Sequence, residues 1–221
     1  MITKSNAIRE NILKCAKTEF MEKGFMDASM RTIAERAGYT TGMLYSRFAD
    51  KDQIFCALVE EGGSILYDYF VDAQETFAAY EPERQKNDMH AYVDQKVDHM
   101  IDILYEHLDA FKLIVCKSAG SSYEKYIDKL VAIEMKHTTR YVELLRDMGQ
   151  AVPQLREDSS HMISSALFNG MFEVVAMTCR KKMRQPISNS FRPFSTRAGI
   201  GLWGFPVNGR HSSKGCILHN G

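Results

Sequence analysis

Apolar residues return every three or four positions along most of this chain, the period of an α-helix, in blocks separated by glycine, proline or capping residues. Ile8, Ile12, Ala16 and Phe20 share one face of a first helix that stops at Gly24. Ser29 is placed to cap a short second helix through Arg36, with Ile33, Ala34 and Ala37 inward. Gly38 permits a tight turn, because a residue without a Cβ takes positive φ at little cost. Thr40 or Thr41 caps a third helix to about Phe48 that buries Leu44 and Phe48, and Asp50, with Gln53 three residues on, opens a fourth.

The pattern continues to about Tyr80, breaks at "EPERQKND" and resumes from Met89 to about Leu108. A helix around "AFKLIVCKS" follows, then a long one from Tyr123 to Met148 and one from about Ser159 to Met177. Ser121 with Glu124 has capping-box spacing for the long helix, and Gly149 with Pro153 supplies its stop. No strand period intervenes, so the pattern predicts an all-α protein.

Two short helices joined by a glycine-containing turn form a helix-turn-helix, whose second helix can enter a DNA major groove. With Leu44 and Phe48 as anchors, Tyr39, Thr40, Thr41, Gly42, Met43, Tyr45 and Ser46 fall on or near the outward surface. Hydroxyls bond phosphates or base edges, Met43 suits a thymine methyl, and Gly42 allows close backbone approach. Lys51, at the start of the next helix, is placed to pair with a phosphate.

The stretch "IAERAGYTTGMLYSRFADKDQIF" resembles the DNA-binding motif of the TetR family of transcriptional regulators. The likeness is carried by Ile33, Ala34, Ala37, Gly38, Gly42, Leu44, Tyr45, Phe48, Lys51 and Ile54. It departs at Tyr39, where that family has a small aliphatic residue, and at Arg47, where histidine is common. The resemblance implies that Thr40, Thr41, Gly42 and Met43 read bases while Ser29, Tyr45 and Lys51 hold phosphates.

It also implies two tasks for the larger domain: enclosing a small apolar or amphipathic effector, and pairing two subunits through the last two helices. Aromatic and other apolar residues at helical spacing are candidates to line a pocket: Tyr67, Phe70, Met100, Leu104, Phe111, Tyr126, Tyr141 and Phe172, with Phe77 and Met135 beside them. His107 is placed to bond a ligand. The expected partners are double-stranded operator DNA, the effector and a second copy of the chain.

Composition narrows the picture. Cys15, Cys56, Cys116, Cys179 and Cys216 have neither metal-ligand nor redox spacing and read as reduced thiols. No GxSxG elbow, phosphate loop or HExxH pattern occurs, so an enzyme, a cofactor and a metal are not expected. No uninterrupted apolar run approaches the roughly 18 residues of a membrane span, and the first residues lack a signal peptide's apolar block, so the expected location is the cytoplasm. The alternative class is a helical protein-interaction module without specific DNA binding. Salt separates the two, because phosphate neutralisation weakens steeply with ionic strength.

The formal net charge of zero hides a segregation. Residues 1–50 carry 8 basic and 6 acidic side chains, residues 51–176 carry 12 and 22, and residues 177–221 carry 8 and none. The chain therefore divides into a DNA-binding domain over 1–49, a ligand-binding and dimerisation domain over 50–176, and an atypical, irregular basic tail over 177–221. One account of the tail is a basic arm that clings to DNA. The account we favour is a shifted reading frame. Rebuilding codons from the last base of each and the first two of the next permits "HDMPEEDAATYIKQLQAVFNAGWDRIMGF" over 177–205, an amphipathic helix with an acidic first turn. That helix also resembles the final helix of TetR-like proteins. Without it the dimer would be impaired, unless the tail's apolar residues fold back over the uncovered face.

Overall fold

The computed structural model describes residues 4–152 and 156–180, which form eight α-helices. They are α1 (Lys4–Asp27), α2 (Met30–Ala37), α3 (Thr41–Tyr45), α4 (Lys51–Ala78), α5 (Pro82–Glu106), α6 (Leu108–Lys117), α7 (Tyr126–Asp147) and α8 (Glu157–Arg180). Among the described residues there is no strand, and the expected all-α class holds, with a helix-turn-helix followed by a larger helical domain. Pro153 and the tail beyond Arg180 lie outside the described residues, whereas residues 177–180 continue α8.

Several boundaries differ from the sequence expectation, each for a local reason. In α1, Gly24 leaves helical geometry at φ 79 and ψ 169, and one further turn carries the chain to Asp27. The third helix ends at Tyr45 rather than Phe48, where the Ser46 hydroxyl donates back to the Met43 carbonyl at 2.8 Å. The "EPERQKND" stretch is helical, not a break. Pro82 opens α5, where its missing N–H costs nothing, and buried Gln85 donates to the Ala78 and Tyr80 carbonyls at 3.3 and 2.8 Å. Ser121 and Glu124 fold the turn before α7 instead of capping it. The Ser121 hydroxyl accepts from the Tyr123 amide at 3.1 Å, and Glu124 accepts from the Gly120 amide at 3.2 Å.

One continuous core runs from Ile12 in α1 to Val175 in α8. Phe20, Phe25 and Phe55 form its aromatic knot, with centroids 5.2 to 6.0 Å apart. The boundary expected at 49/50 is therefore a break in the chain's helices, not in its core. The helix α4 leaves the helix-turn-helix and continues unbroken through the larger domain, while α6 packs against α1, α4 and α8. A second cluster of Phe77, Tyr141 and Leu145 sits at the far end of α4. Over Glu157–Cys179, α8 is long and apolar enough to cross a membrane, with mean hydropathy 1.4. It nonetheless buries Phe168, Phe172 and Val175 in this core. The α6–α8 contact also brings the Cys116 and Cys179 sulfurs to 2.8 Å, a proximity with no signal in their spacing.

Candidate nucleic-acid interface and cavity

The short helices are fixed by their own ends. Ser29, in extended geometry, accepts from the Thr32 amide at 3.4 Å, and Thr40 accepts from the Met43 amide at 3.3 Å. Between them Gly38 takes φ 77 and ψ 26, the left-handed conformation that closes α2 through its N–H to the Ala34 and Glu35 carbonyls. Asp50 accepts from the Gln53 amide at 2.7 Å, and Gln53 reaches back to the Ala49 amide at 2.6 Å. Leu44 and Phe48 are buried, so the rest of α3 faces away from the core.

Thr40, Thr41, Gly42, Tyr45 and Ser46 are exposed and adjacent, with Tyr45 leaving 54% of its surface open. Met43 and Tyr39 are half-buried, and Tyr39 packs against the core. Ser29 is half-buried and engaged as a cap. Lys51 is more committed than its sequence position indicated. Its ammonium donates to the Met26 and Ala28 carbonyls at 3.0 and 3.1 Å and lies 4.6 Å from the centre of the Phe25 ring. Two of its three donors thus hold the end of α1.

Two groups that periodicity did not single out support this surface from behind. Glu19, fully buried, accepts from the Ser29 amide at 3.4 Å and pairs with Lys23 and Arg36 at 3.2 and 3.4 Å, tying α1 to the cap of α2. Arg36 also bonds Glu22 at 2.7 Å, which draws that carboxyl below its usual range. Arg47 donates to the Ser5 hydroxyl at 2.9 Å and pins the start of α1 beside the end of α3. An acidic residue at a position facing the core was the available signal for Glu19; Arg47 had none.

In the larger domain α4, α5, α7 and α8 enclose a cavity of about 300 Å³. Of the residues expected to line a pocket, Phe70, Phe77, Met100 and Tyr141 do so. Tyr67, Leu104, Phe111, Tyr126 and Met135 do not and pack in or against the core, whereas Phe172 lines a second hollow between α1, α6, α7 and α8. His107 is not at the cavity either. It ends α5 beside Gly62, where an added Cβ would fall 2.6 Å from the His107 Cβ. Tyr126 instead donates to the Gly63 carbonyl at 2.7 Å, and burial pushes its phenol well above the usual range.

The polar lining lies mainly on turns that the apolar search passed over. Glu134 on α7 accepts from Gln74 at 2.5 Å and Thr138 at 3.1 Å, while burial pushes its carboxyl up. Burial, with Lys136 and Arg140 nearby, pushes His137 down, and its buried Nδ1 has no hydrogen-bond partner among the described residues. Tyr92 donates to the Ala73 carbonyl at 2.8 Å, and burial lifts its phenol to about 12. Lys96 of α5 sits 5.1 Å from the ring centres of both Tyr69 and Tyr92.

Residues 12–58 match the family described as bacterial regulatory proteins, tetR family. The chain is 23% identical over 146 residues to the uncharacterized HTH-type transcriptional regulator YfiR of Bacillus subtilis, covering 64% of this chain and 67% of that one. It is 23% identical over 177 residues to the HTH-type transcriptional regulator UidR of Escherichia coli, covering 80% and 84%. Among solved structures it is similar to NalD, the secondary repressor of the MexAB-OprM multidrug efflux pump in Pseudomonas aeruginosa. That likeness has a TM-score of 0.55 at 16% identity and covers 90% of this chain and 97% of NalD.

Proposed function

We propose that the chain is a TetR-family DNA-binding transcriptional regulator and a cytoplasmic repressor, released from its operator when a small molecule fills the cavity. One observation carries the reading: α4 is a single helix whose first turn braces the helix-turn-helix and whose last turns, from Phe70 to Ala78, line the cavity. A second path runs through α6, which touches α8 and meets α1 at the Lys17–Asp109 ion pair, 2.5 Å long. An occupant that shifts α4 or α8 by a small amount would turn the recognition helix. In a homodimer two such helices must reach major grooves roughly 34 Å apart, so a small rotation in each suffices to lose the match. Coupling of about 1–3 kcal/mol, some 5- to 150-fold in affinity, is the usual scale.

At the DNA, Thr40, Thr41, Gly42 and Met43 are assigned to base edges and Ser29, Tyr39, Tyr45 and Ser46 to the groove wall and phosphates. Lys51 contributes its third N–H to a phosphate while its other two brace α1. NalD, named a repressor, is consistent with the direction of control. The test is to select binding fragments from the genome, then measure affinity with and without molecules that bind the cavity, and follow a reporter behind the same fragment. Affinity indifferent to every cavity ligand sinks ligand release; reporter output that rises with the protein sinks repression.

The homodimer is assigned to α8, whose Met162 leaves 71% of its surface open, together with a final helix encoded by residues 177–205 in the shifted frame. Light scattering of this chain beside one carrying the rebuilt helix decides it. A dimer only in the rebuilt chain supports the frame assignment, and equal dimerisation removes its functional weight.

A further inference from the structure

The cavity's charges are unevenly satisfied. Glu134 already receives a donor on each oxygen, from Gln74 and Thr138, and burial favours its protonated form. The two cations lining the same cavity, Lys96 and Arg140, have no carboxylate within ion-pair distance among the described residues. Lys96 is held over the Tyr69 and Tyr92 rings, an arrangement that positions a cation without neutralising it. The His137 Nδ1 is buried beside them without a partner. A cationic occupant would meet two like charges, Lys96 and Arg140, and a carboxyl that already receives two donors. An anionic one would find donors waiting.

The remaining lining is mainly apolar, with Phe70, Phe77 and Phe168 prominent. The cavity's 300 Å³ corresponds to roughly ten water-sized groups at about 30 Å³ each. We propose that the cavity selects an apolar carboxylic acid of about ten non-hydrogen atoms, bound as its anion, with the carboxylate at Lys96 and the hydrocarbon or ring among the phenylalanines. This deepens the reading of the cavity as the effector site and rests on that reading for its biological meaning; the binding chemistry is measured separately.

The experiment is calorimetric titration of the full chain with two matched sets: octanoate, 1-octanol and octylammonium, and 3-phenylpropanoate with its alcohol and ammonium. In at least one set the acid is expected to bind about tenfold or more tighter than its partners, as a charge-assisted hydrogen bond provides. Lys96→Met should reduce that preference to within about threefold, and Lys96→Arg should retain it. The proposal is overturned if an alcohol or ammonium binds tightest in both sets, if none binds up to about 1 mM, or if Lys96→Met keeps the acid preference. Release from a selected DNA fragment is then read with the tightest ligand. An acid that binds without releasing DNA supports the pocket assignment and sinks ligand release; an ammonium that both binds tightest and releases DNA does the reverse.

Discussion

The helix-turn-helix and the cavity differ in how far along the chain their parts were gathered. The candidate DNA surface is built between Ser29 and Lys51, and its defining hydrogen bonds close over three residues: Thr32 to Ser29, Met43 to Thr40, Gln53 to Asp50. The cavity draws on side chains from Phe70 to Val174, delivered by four helices. A surface made of caps and one turn is local chemistry, so its residues announce themselves in order. A cavity is where packing between distant helices stops short, and no single segment records that. The regions are nonetheless one body, sharing the core that runs through Phe55 and α4.

The largest effect should come from that shared core. Phe55→Ala removes a fully buried ring that touches Phe20, Phe25 and Tyr123, and should cost about 3–5 kcal/mol in a single cooperative unfolding transition. Two resolved transitions in chemical denaturation would break the claim that the regions share one core. Next is Lys51→Ala. Because Lys51 holds the Met26 carbonyl of α1 and the Ala28 carbonyl just beyond it, the substitution should lower stability by about 1–2 kcal/mol as well as weaken every DNA site. If DNA affinity falls with stability untouched, the lysine is a phosphate contact alone.

Tyr45→Ala sharpens the contrast from the other side. The exposed ring should cost no more than about 0.5 kcal/mol of stability, while DNA affinity falls roughly tenfold. Equal losses in both measurements would place Tyr45 in the fold rather than at the interface. The smallest effect is at Glu134, whose buried carboxyl has a pKa raised above the ordinary 4.5. The folded state prefers the protonated form, so this contribution is fully present below the ordinary value and is lost as pH climbs through the raised one. Glu134→Gln should therefore gain stability relative to the parent as pH rises above the ordinary value of 4.5, a gain followed by melting temperature against pH. Parallel curves would show that the carboxyl is not destabilised by burial.

Periodicity and capping residues identified the helical class, the turn at Gly38 and the exposed run from Thr40 to Ser46, because each depends on backbone geometry within a few residues. They also marked which faces are buried, and for that reason Leu104, Phe111 and Tyr126 looked like pocket residues. Burial is a property of a helix face, but whether a buried side chain meets a neighbour or a void depends on the helix opposite. Only the tertiary structure turned His107 toward Gly62, spent two donors of Lys51 on α1, and set Lys96, Glu134 and His137 around one space. Those outcomes were decided by the packing of α4, α5, α7 and α8, whose relative placement follows from volumes and charges summed over residues far apart in the chain.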